Sequence, residues 1–341
     1  MPRWNCGILL GTICLLIGAC GPSRVPVKGI QDPSPVFAFA VIGDTHTIGT
    51  PVTGKAVYTR IIEQINEIQP DLVVHVGDMI VAPGFFHRDR GQTSVDTFMT
   101  YTRKLDSAIE FYPVLGNHEG EIDGFRLAID TFPQFQGRGW YSFDRQGVHF
   151  VLVENNTDTA DSTRKGYSYC KPNGGLNTPG SRQRRWLDND LRLRPPNTRW
   201  TFGFGHRAYY GAEGRRFRPN IALARTGPDS FCNLIESAGV DVFFNGDQHC
   251  YTRTAPIRAG KVALPGERGT IYITCGGGGG KIHRGRPFPG LSDLPDGAYQ
   301  AGTDSLHFFL LCRVWDDIFR AEVIDTSGVV FDRWEIRKAQ E

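Results

Sequence analysis

The 341-residue chain has almost no bias of charge: 38 Lys and Arg stand against 36 Asp and Glu, for a formal net charge of +2. It has no acidic or basic tail and no basic stripe interleaved with aromatics. Bulk electrostatics therefore select neither nucleic acid nor a membrane surface as partner. Internal repeats are absent too, and with 40% hydrophobic residues the chain can bury a large core. One large domain, or one carrying insertions, is the expected organisation. Cysteine is sparse, with 8 residues and no pair at CxxC spacing, which argues against cysteine zinc sites. The run of five glycines at Gly276–Gly280 lacks the Gly-Lys-Ser/Thr ending of a P-loop.

Long apolar runs are equally scarce. The one near the start, Ile8 to Ile17, follows a single Arg3 and ends at Gly18-Ala19-Cys20. It is too short to span a bilayer as a stable helix and reads as a removable secretory signal over residues 1–20. The small residues before Cys20 resemble the lipobox of a bacterial lipoprotein, in which that cysteine is lipidated and becomes the mature N-terminus. An ordinary signal peptide cut nearby, or an uncleaved anchor, are the alternatives. Residues 21–35, with four prolines, read as a tether. The expected location is thus extracytoplasmic, lipid-anchored to the cell envelope on the periplasmic side or at the cell surface. Disulfides persist in such a compartment. Cys170, Cys232, Cys250, Cys275 and Cys312 remain after the leader, and five is odd, so at least one thiol is left over unless it pairs with another molecule. Cys250, next to His249, is expected in packing or a disulfide rather than on a metal.

What is present is a set of short glycine-flanked blocks, each after a strand-like run. Val36–Ile42 precedes Gly43-Asp44-Thr45-His46, and Leu72–Val76 precedes Gly77-Asp78. Phe111–Leu115 precedes Gly116-Asn117-His118-Glu119, and Val240–Phe244 comes shortly before Gly246-Asp247-Gln248-His249. Ligands in an open α/β sheet bind beyond the carboxyl ends of strands, and glycine lets the backbone turn sharply there. One Gly-Asp turn is ordinary loop chemistry. Four such blocks carrying Asp, Asn and His imply convergence on one point.

Apolar spacing predicts a helix over 55–68, stopped by Pro70, so the first two strands form a β-α-β unit with parallel neighbours. The segment 82–92 reads as loop and 94–109 as helix. A hairpin is expected between Trp140–Phe143 and Val148–Val153, a polar loop over 157–179, and an amphipathic helix over 181–193 carrying Trp186, Leu187 and Leu191. Trp200–Phe204 is a strand ending in Gly205-His206. A helix over 229–238 and a strand over 270–274 follow, and 306–314, 318–324 and 329–336 form a closing antiparallel meander. Two sheets packed face to face with helices outside accommodate both halves.

Phosphoester hydrolysis needs a strong nucleophile near neutral pH and neutralised phosphoryl oxygens. Two divalent metals about 3.5 to 4 Å apart supply both, and Asp, Asn and His are suitable ligands. The five blocks, counting Gly205-His206, resemble those of the calcineurin-like metallophosphoesterase superfamily. Trp140–Phe143, the helix around Gln183 and Trp186, and Val240–Tyr251 resemble the purple acid phosphatase branch. The resemblance implies an α/β four-layer α-β-β-α sandwich of two mixed sheets, with a catalytic domain over 36–338. It implies two divalent metal ions, Mn, Fe, Zn or Mg, and a metal-bridging hydroxide attacking a small-molecule phosphoester. Asp44, His46 and His249 would bind the first metal, Asp78 would bridge, and Asn117 and His206 would bind the second. His118 would face the leaving group as general acid or charge stabiliser, with Glu119 orienting it or, like Arg207, touching substrate.

Two positions depart from that pattern. Asp247 stands where family members usually have a histidine on the second metal; it either ligates or points away and weakens that site. Val81 stands where purple acid phosphatases have tyrosine, so a tyrosinate-bound ferric ion is not expected. His75, His149 and His307 read as structural histidines and His87 as a solvated loop residue. Gly276–Gly280, with Lys281, His283, Arg284 and Arg286, either cradles a phosphate through backbone amides or is a flexible loop. A phosphatase-fold binding protein at the cell surface and a nuclease remain as alternative functions.

Overall fold

The computed structural model describes residues 34–47, 53–81, 91–120, 125–156, 175–176, 180–211, 224–225, 227–282, 294–303 and 305–339. The leader, Cys20, His87, Cys170, the arginines beyond Lys281 and most of the loops 82–92 and 157–179 lie outside the described residues.

Two sheets form the body. The first has six strands, β1 (Phe37–Ile42), β2 (Leu72–His75), β3 (Glu110–Pro113), β13 (Phe308–Val314), β14 (Ile318–Asp325) and β15 (Val330–Arg337), in the order β15-β14-β13-β1-β2-β3. β1, β2 and β3 are parallel, crossed over by α1 (Thr53–Ile68) and α2 (Gly91–Thr102), while β13 to β15 make the antiparallel meander. The second sheet has seven: β4 (Tyr141–Arg145), β5 (Val148–Leu152), β6 (Trp200–Phe204), β7 (Val242–Asn245), β8 (Tyr251–Thr254), β11 (Ile271–Cys275) and β12 (Tyr299–Thr303). Their order is β12-β8-β11-β7-β6-β5-β4, parallel from β5 through β11. A two-stranded ribbon, β9 (Ile257–Arg258) with β10 (Lys261–Val262), completes the strands.

Aromatic side chains fill the space between the sheets. Phe39 of β1 is fully buried and meets Phe150, Phe202, Phe204 and Phe244 of the second sheet, at centroid distances of 5.3, 5.3, 6.3 and 6.2 Å. It also stacks on Phe319 of β14. On the outer face of the first sheet α1 buries Tyr58, Ile61, Ile62 and Ile65, and Tyr58 stacks on Phe98 of α2. On the outer face of the second, Leu187 and Leu191 of α5 (Arg182–Arg192) and Phe231 and Ile235 of α6 (Phe231–Ser237) pack with Val151, Phe243 and Tyr272. These are the four expected layers. Ser181 and Ser230 cap α5 and α6 by accepting from the backbone N–H three residues on.

The helix expected over 94–109 begins earlier and stops at Thr102. Asp106 Oδ1 accepts from Ala108 N at 3.0 Å while Asn66 Oδ1 accepts from Asp106 N, an Asx turn that leads the chain off the helix and into β3. Strands β8 and β12 were not expected, because residues such as Thr252 and Thr254 carry no apolar run. The four described cysteines, Cys232, Cys250, Cys275 and Cys312, are buried, and no disulfide forms among the described residues. No described helix is long and apolar enough to cross a membrane.

Phe39 joins the two sheets, so Phe39→Ala should cost about 3 to 5 kcal/mol. Urea unfolding followed by tryptophan fluorescence measures it, and a loss below about 1 kcal/mol would contradict the central placement of this ring.

Candidate metal centre

The carboxyl ends of β1, β2, β3, β6 and β7 meet at one edge shared by the two sheets, and each delivers a block. Asp44 and His46 follow β1, Asp78 follows β2, Asn117 and His118 follow β3 on the short helix α3 (Asn117–Gly120), His206 follows β6, and Asp247 and His249 follow β7. Asp44, His46, Asp78 and Asp247 all hold left-handed backbone, with φ of 55°, 47°, 53° and 70°. Conformations of this kind cost energy in non-glycine residues and concentrate at functional sites, where packing enforces them.

The side chains converge. Asp44, His46 and His249 form one group of potential ligand atoms, His46, Asp78 and His118 a second, and Asp44, Asp78 and His206 a third, each with its atoms within 4.8 Å of one another. Asp78 Oδ2 lies 3.6 Å from His46 Nε2 and 3.7 Å from His118 Nε2, and Asp78 Oδ1 lies 3.3 Å from His206 Nε2. Asn117 Oδ1 is 3.1 Å from His206 Nε2, which brings Asn117 to the same point. His249 Nε2 is 3.6 Å from Asp44 Oδ1.

The outer contacts aim these donors. His206 Nδ1 bonds Val76 O at 2.9 Å and His249 Nδ1 bonds Lys281 O at 2.8 Å, so each ring donates there and turns Nε2 inward as an electron-pair donor. His46 Nε2 is buried without a hydrogen-bond partner. Such a nitrogen is costly unless something electrophilic meets it, and a divalent cation does. The donor set therefore fits metal ions.

Electrostatics agree. Burial works against the charge on Asp78, yet the imidazoles of His206 and His118 hold its carboxyl well below the usual range. Burial likewise lowers His206, but Asp78, with Asp44 and Asp247, outweighs it and lifts the ring to about 9. His249 rises to about 9 in the same way, against burial, through Asp44.

Asp247 occupies a different role from the other blocks. Its N–H donates to Asp44 Oδ1 and Oδ2 at 3.1 and 3.0 Å, and its Oδ1 lies 3.7 Å from His206 Nε2 but is ion-paired to Arg207 Nη1. Arg207, expected to touch substrate, is 8% exposed and holds this carboxylate. Glu119 requires a correction: it is 2% exposed, and its carboxylate accepts from Gly116 N, Asp78 N and Ile80 N at 2.6, 3.0 and 3.4 Å. It ties the β2 and β3 turns together and faces neither His118 nor a substrate. Burial and the nearby Asp78 push it up to about 8.

The glycine run is also corrected. Gly276–Gly280 is buried, and Gly278 N and Gly280 N donate to Gly43 O and Asp44 O at 2.9 and 2.7 Å. A Cβ on Gly276, Gly277 or Gly278 would collide with Gln248 O, the Phe308 ring or Gly43 O, and one on Gly280 would lie 2.6 Å from the His249 ring. The run is a thin backing plate for Asp44 and His249, neither a phosphate cradle nor a loose loop. Asn155 was not anticipated. Its Oδ1 accepts from His206 N and Arg207 N, both at 2.9 Å, and its Nδ2 donates to Arg207 O. The signal was available in Glu154-Asn155-Asn156, three polar residues at the carboxyl end of β5, but no glycine marked it. His75, His149 and His307 are structural: His75 bonds Thr45 Oγ1, His149 sits between Asp144 and Asp190, and His307 bonds Gly277 O.

The sequence model of the calcineurin-like phosphoesterases matches residues 37–251, which contain the whole donor set. The chain belongs to that family. It is 26% identical over 261 residues to purple acid phosphatase 18 of Arabidopsis thaliana, covering 72% of this chain and 50% of the relative. It thus spans about half the length of the curated relatives it matches. Among solved structures, a purple acid phosphatase from yellow lupin, Lupinus luteus, aligns with a TM-score of 0.65 at 18% identity, covering 89% of this chain and 54% of that one. A dimetal phosphatase from Danio rerio aligns with a TM-score of 0.60 at 16% identity, covering 90% of this chain and all of that one. The family uses two divalent metals, and the convergent carboxylates, amide and imidazoles suit that pair.

Ligation requires neutral imidazoles, so in the metal-free chain at pH 7.5 His206 and His249 must each lose a proton. Calorimetric titration with Mn in two buffers of different ionisation enthalpy should show release of about two protons, with affinity falling as pH falls. Release of none would contradict ligation by these rings.

Proposed function

We propose that the protein hydrolyses phosphate esters at a two-metal centre formed by Asp44, His46, Asp78, Asn117, His206 and His249. The observation that carries this is Asp78, whose Oδ2 lies 3.6 Å from His46 Nε2 of one set and whose Oδ1 lies 3.3 Å from His206 Nε2 of the other, so that its two oxygens face two cation positions. Two divalent ions there would supply an acidified water and a clamp on the phosphoryl oxygens. The chain's own contribution is to orient and to move a proton. His118 is tethered through its N–H to Asp78 Oδ1 at 2.9 Å, with a side chain 26% exposed. It can hold a proton for the departing oxygen while staying in register with the phosphorus. Asp44, His46 and His249 form the first position, Asn117 and His206 the second. Asp247, shared with Arg207, contributes weakly to the second, so that position holds its ion less tightly.

The substrate class is a small phosphomonoester or phosphodiester. We place the protein outside the cytoplasm, lipid-anchored through Cys20, on the strength of the apolar run and the small residues before that cysteine. Labelling with an alkyne fatty acid in a bacterial host should mark the full chain and be lost in Cys20→Ser; equal labelling of both would refute the anchor.

A second reading, a surface binding protein on this fold, is favoured by the Arg207–Asp247 pair alone. Metal analysis separates the two: about two ions per chain support the enzyme, one or none the binding protein. The direct test is turnover of p-nitrophenyl phosphate and its bis-ester with Mn, Fe, Zn or Mg. Asp78→Asn should reduce the rate about a hundredfold or more. Inactivity of the unmodified chain with every metal would sink the proposal.

A further inference from the structure

At the opposite end of β6 and β7 from the metal centre lies a cavity of about 260 Å³. Arg192, Arg194, Arg199, Arg268 and Lys338 line it, with Asp241 as the one carboxylate among its lining residues. Thr201 near the start of β6 and Asp241 just before β7 form its floor, while His206 and Asp247 follow the far ends of the same strands. A strand of five residues separates the two sites by roughly 15 Å.

Arg192, Arg194 and Arg199 are held in place by groups that do not neutralise them. Arg194 donates to Thr201 Oγ1 and Ala238 O, both at 2.6 Å, and Arg199 donates to the carbonyls of Asp316 and Ala339 at 2.9 and 3.1 Å. Arg192 bonds the Asn189 side chain at 2.7 Å. Only Lys338, at 2.8 Å, and Arg268, at 3.4 Å, reach the Asp241 carboxylate, which also accepts from Thr201 N. Lys338 is packed over the buried Trp200 ring, 4.1 Å from its centroid. Burial lowers both Arg194 and Lys338, Asp241 offsets part of this, and the Arg268 guanidinium lowers both further. Five cations against one carboxylate, three of them (Arg194, Arg199 and Lys338) held by hydrogen bonds, around a cavity that admits a small anion, form a receptor for a multivalent oxyanion.

We propose that this cavity binds a phosphoryl anion, separately from the metal centre. Two sources share the chemistry: free phosphate, and the headgroup of an anionic phospholipid. The second is geometrically open because β1 is entered at this end, with Val36 N bonded to Val314 O beside the Trp315–Asp317 turn that Arg199 grips.

The test uses the full-length chain in detergent, stripped of metal with EDTA so that the catalytic edge has no cation to hold phosphate. Inorganic phosphate is titrated while tryptophan fluorescence reports on Trp200. In parallel, recovery on phosphatidylglycerol vesicles is compared with recovery on phosphatidylcholine vesicles; any lipid anchor would insert into both. The variant is Arg192→Gln with Arg268→Gln, two exposed side chains whose removal leaves the core intact, as a thermal melt would verify. The expected result is saturable phosphate binding, or an anionic-vesicle preference, weakened about tenfold or more in the variant. Phosphate response without vesicle preference assigns the free anion, and the reverse assigns the headgroup. Absence of both, or equal behaviour of variant and parent, overturns the proposal. Neither outcome depends on turnover, so failure here leaves the catalytic reading standing.

Discussion

A buried, ionised carboxylate is the constraint around which the rest is arranged. Asp78 is 3% exposed and would be driven to its neutral form by desolvation alone. It stays charged because positive or polarisable groups surround it on every side that matters: His46, His118 and His206 through their side chains, and the N–H of His118 through the backbone. Those partners come from the ends of three other strands in two sheets. Burying this carboxylate therefore requires both sheets to be in place. The aromatic seam centred on Phe39 sets that spacing, and Glu119 and Asn155 lock the individual turns to it.

Much of this was readable before any coordinates. Parallel strands could be inferred from apolar runs separated by a helix with 3.6-residue spacing, and the blocks at their ends marked the ligand edge. The hairpin at 145–147 was legible because Gln146 and Gly147 supply the two left-handed residues that such a turn needs. Less legible were features whose cause is non-local. Asn155 carries no turn signature and acts only because β6 ends beside it. Glu119 reads in line as a partner of its neighbour His118 or of substrate, yet on a helical turn successive side chains diverge, and it bonds inward to the β2 turn. The five glycines suggest flexibility or anion binding when read in line. Their role follows from what presses against them, namely Gln248, Phe308 and the His249 ring.

Asp247 shows how one substitution can be absorbed without disturbing the framework. Its backbone N–H still braces Asp44, so the turn needs the residue whatever its side chain does. The side chain brings a negative charge, and Arg207, one position after His206, answers it. The pair leaves the local charge near neutral while spending an oxygen that would otherwise be wholly available to a cation. The carboxylate oxygen nearest His206 is thus partly committed to Arg207, whereas Asp44, His46 and His249 face one another.

The four described cysteines have a bearing on how this domain can be handled. Cys232, Cys275 and Cys312 are thiols sealed in the interior, and burial raises them well above their ordinary range, which suppresses the reactive thiolate. These three thiols are therefore shielded from alkylating reagents as long as the layers stay packed. Labelling of these cysteines accordingly reports the opening of the core itself.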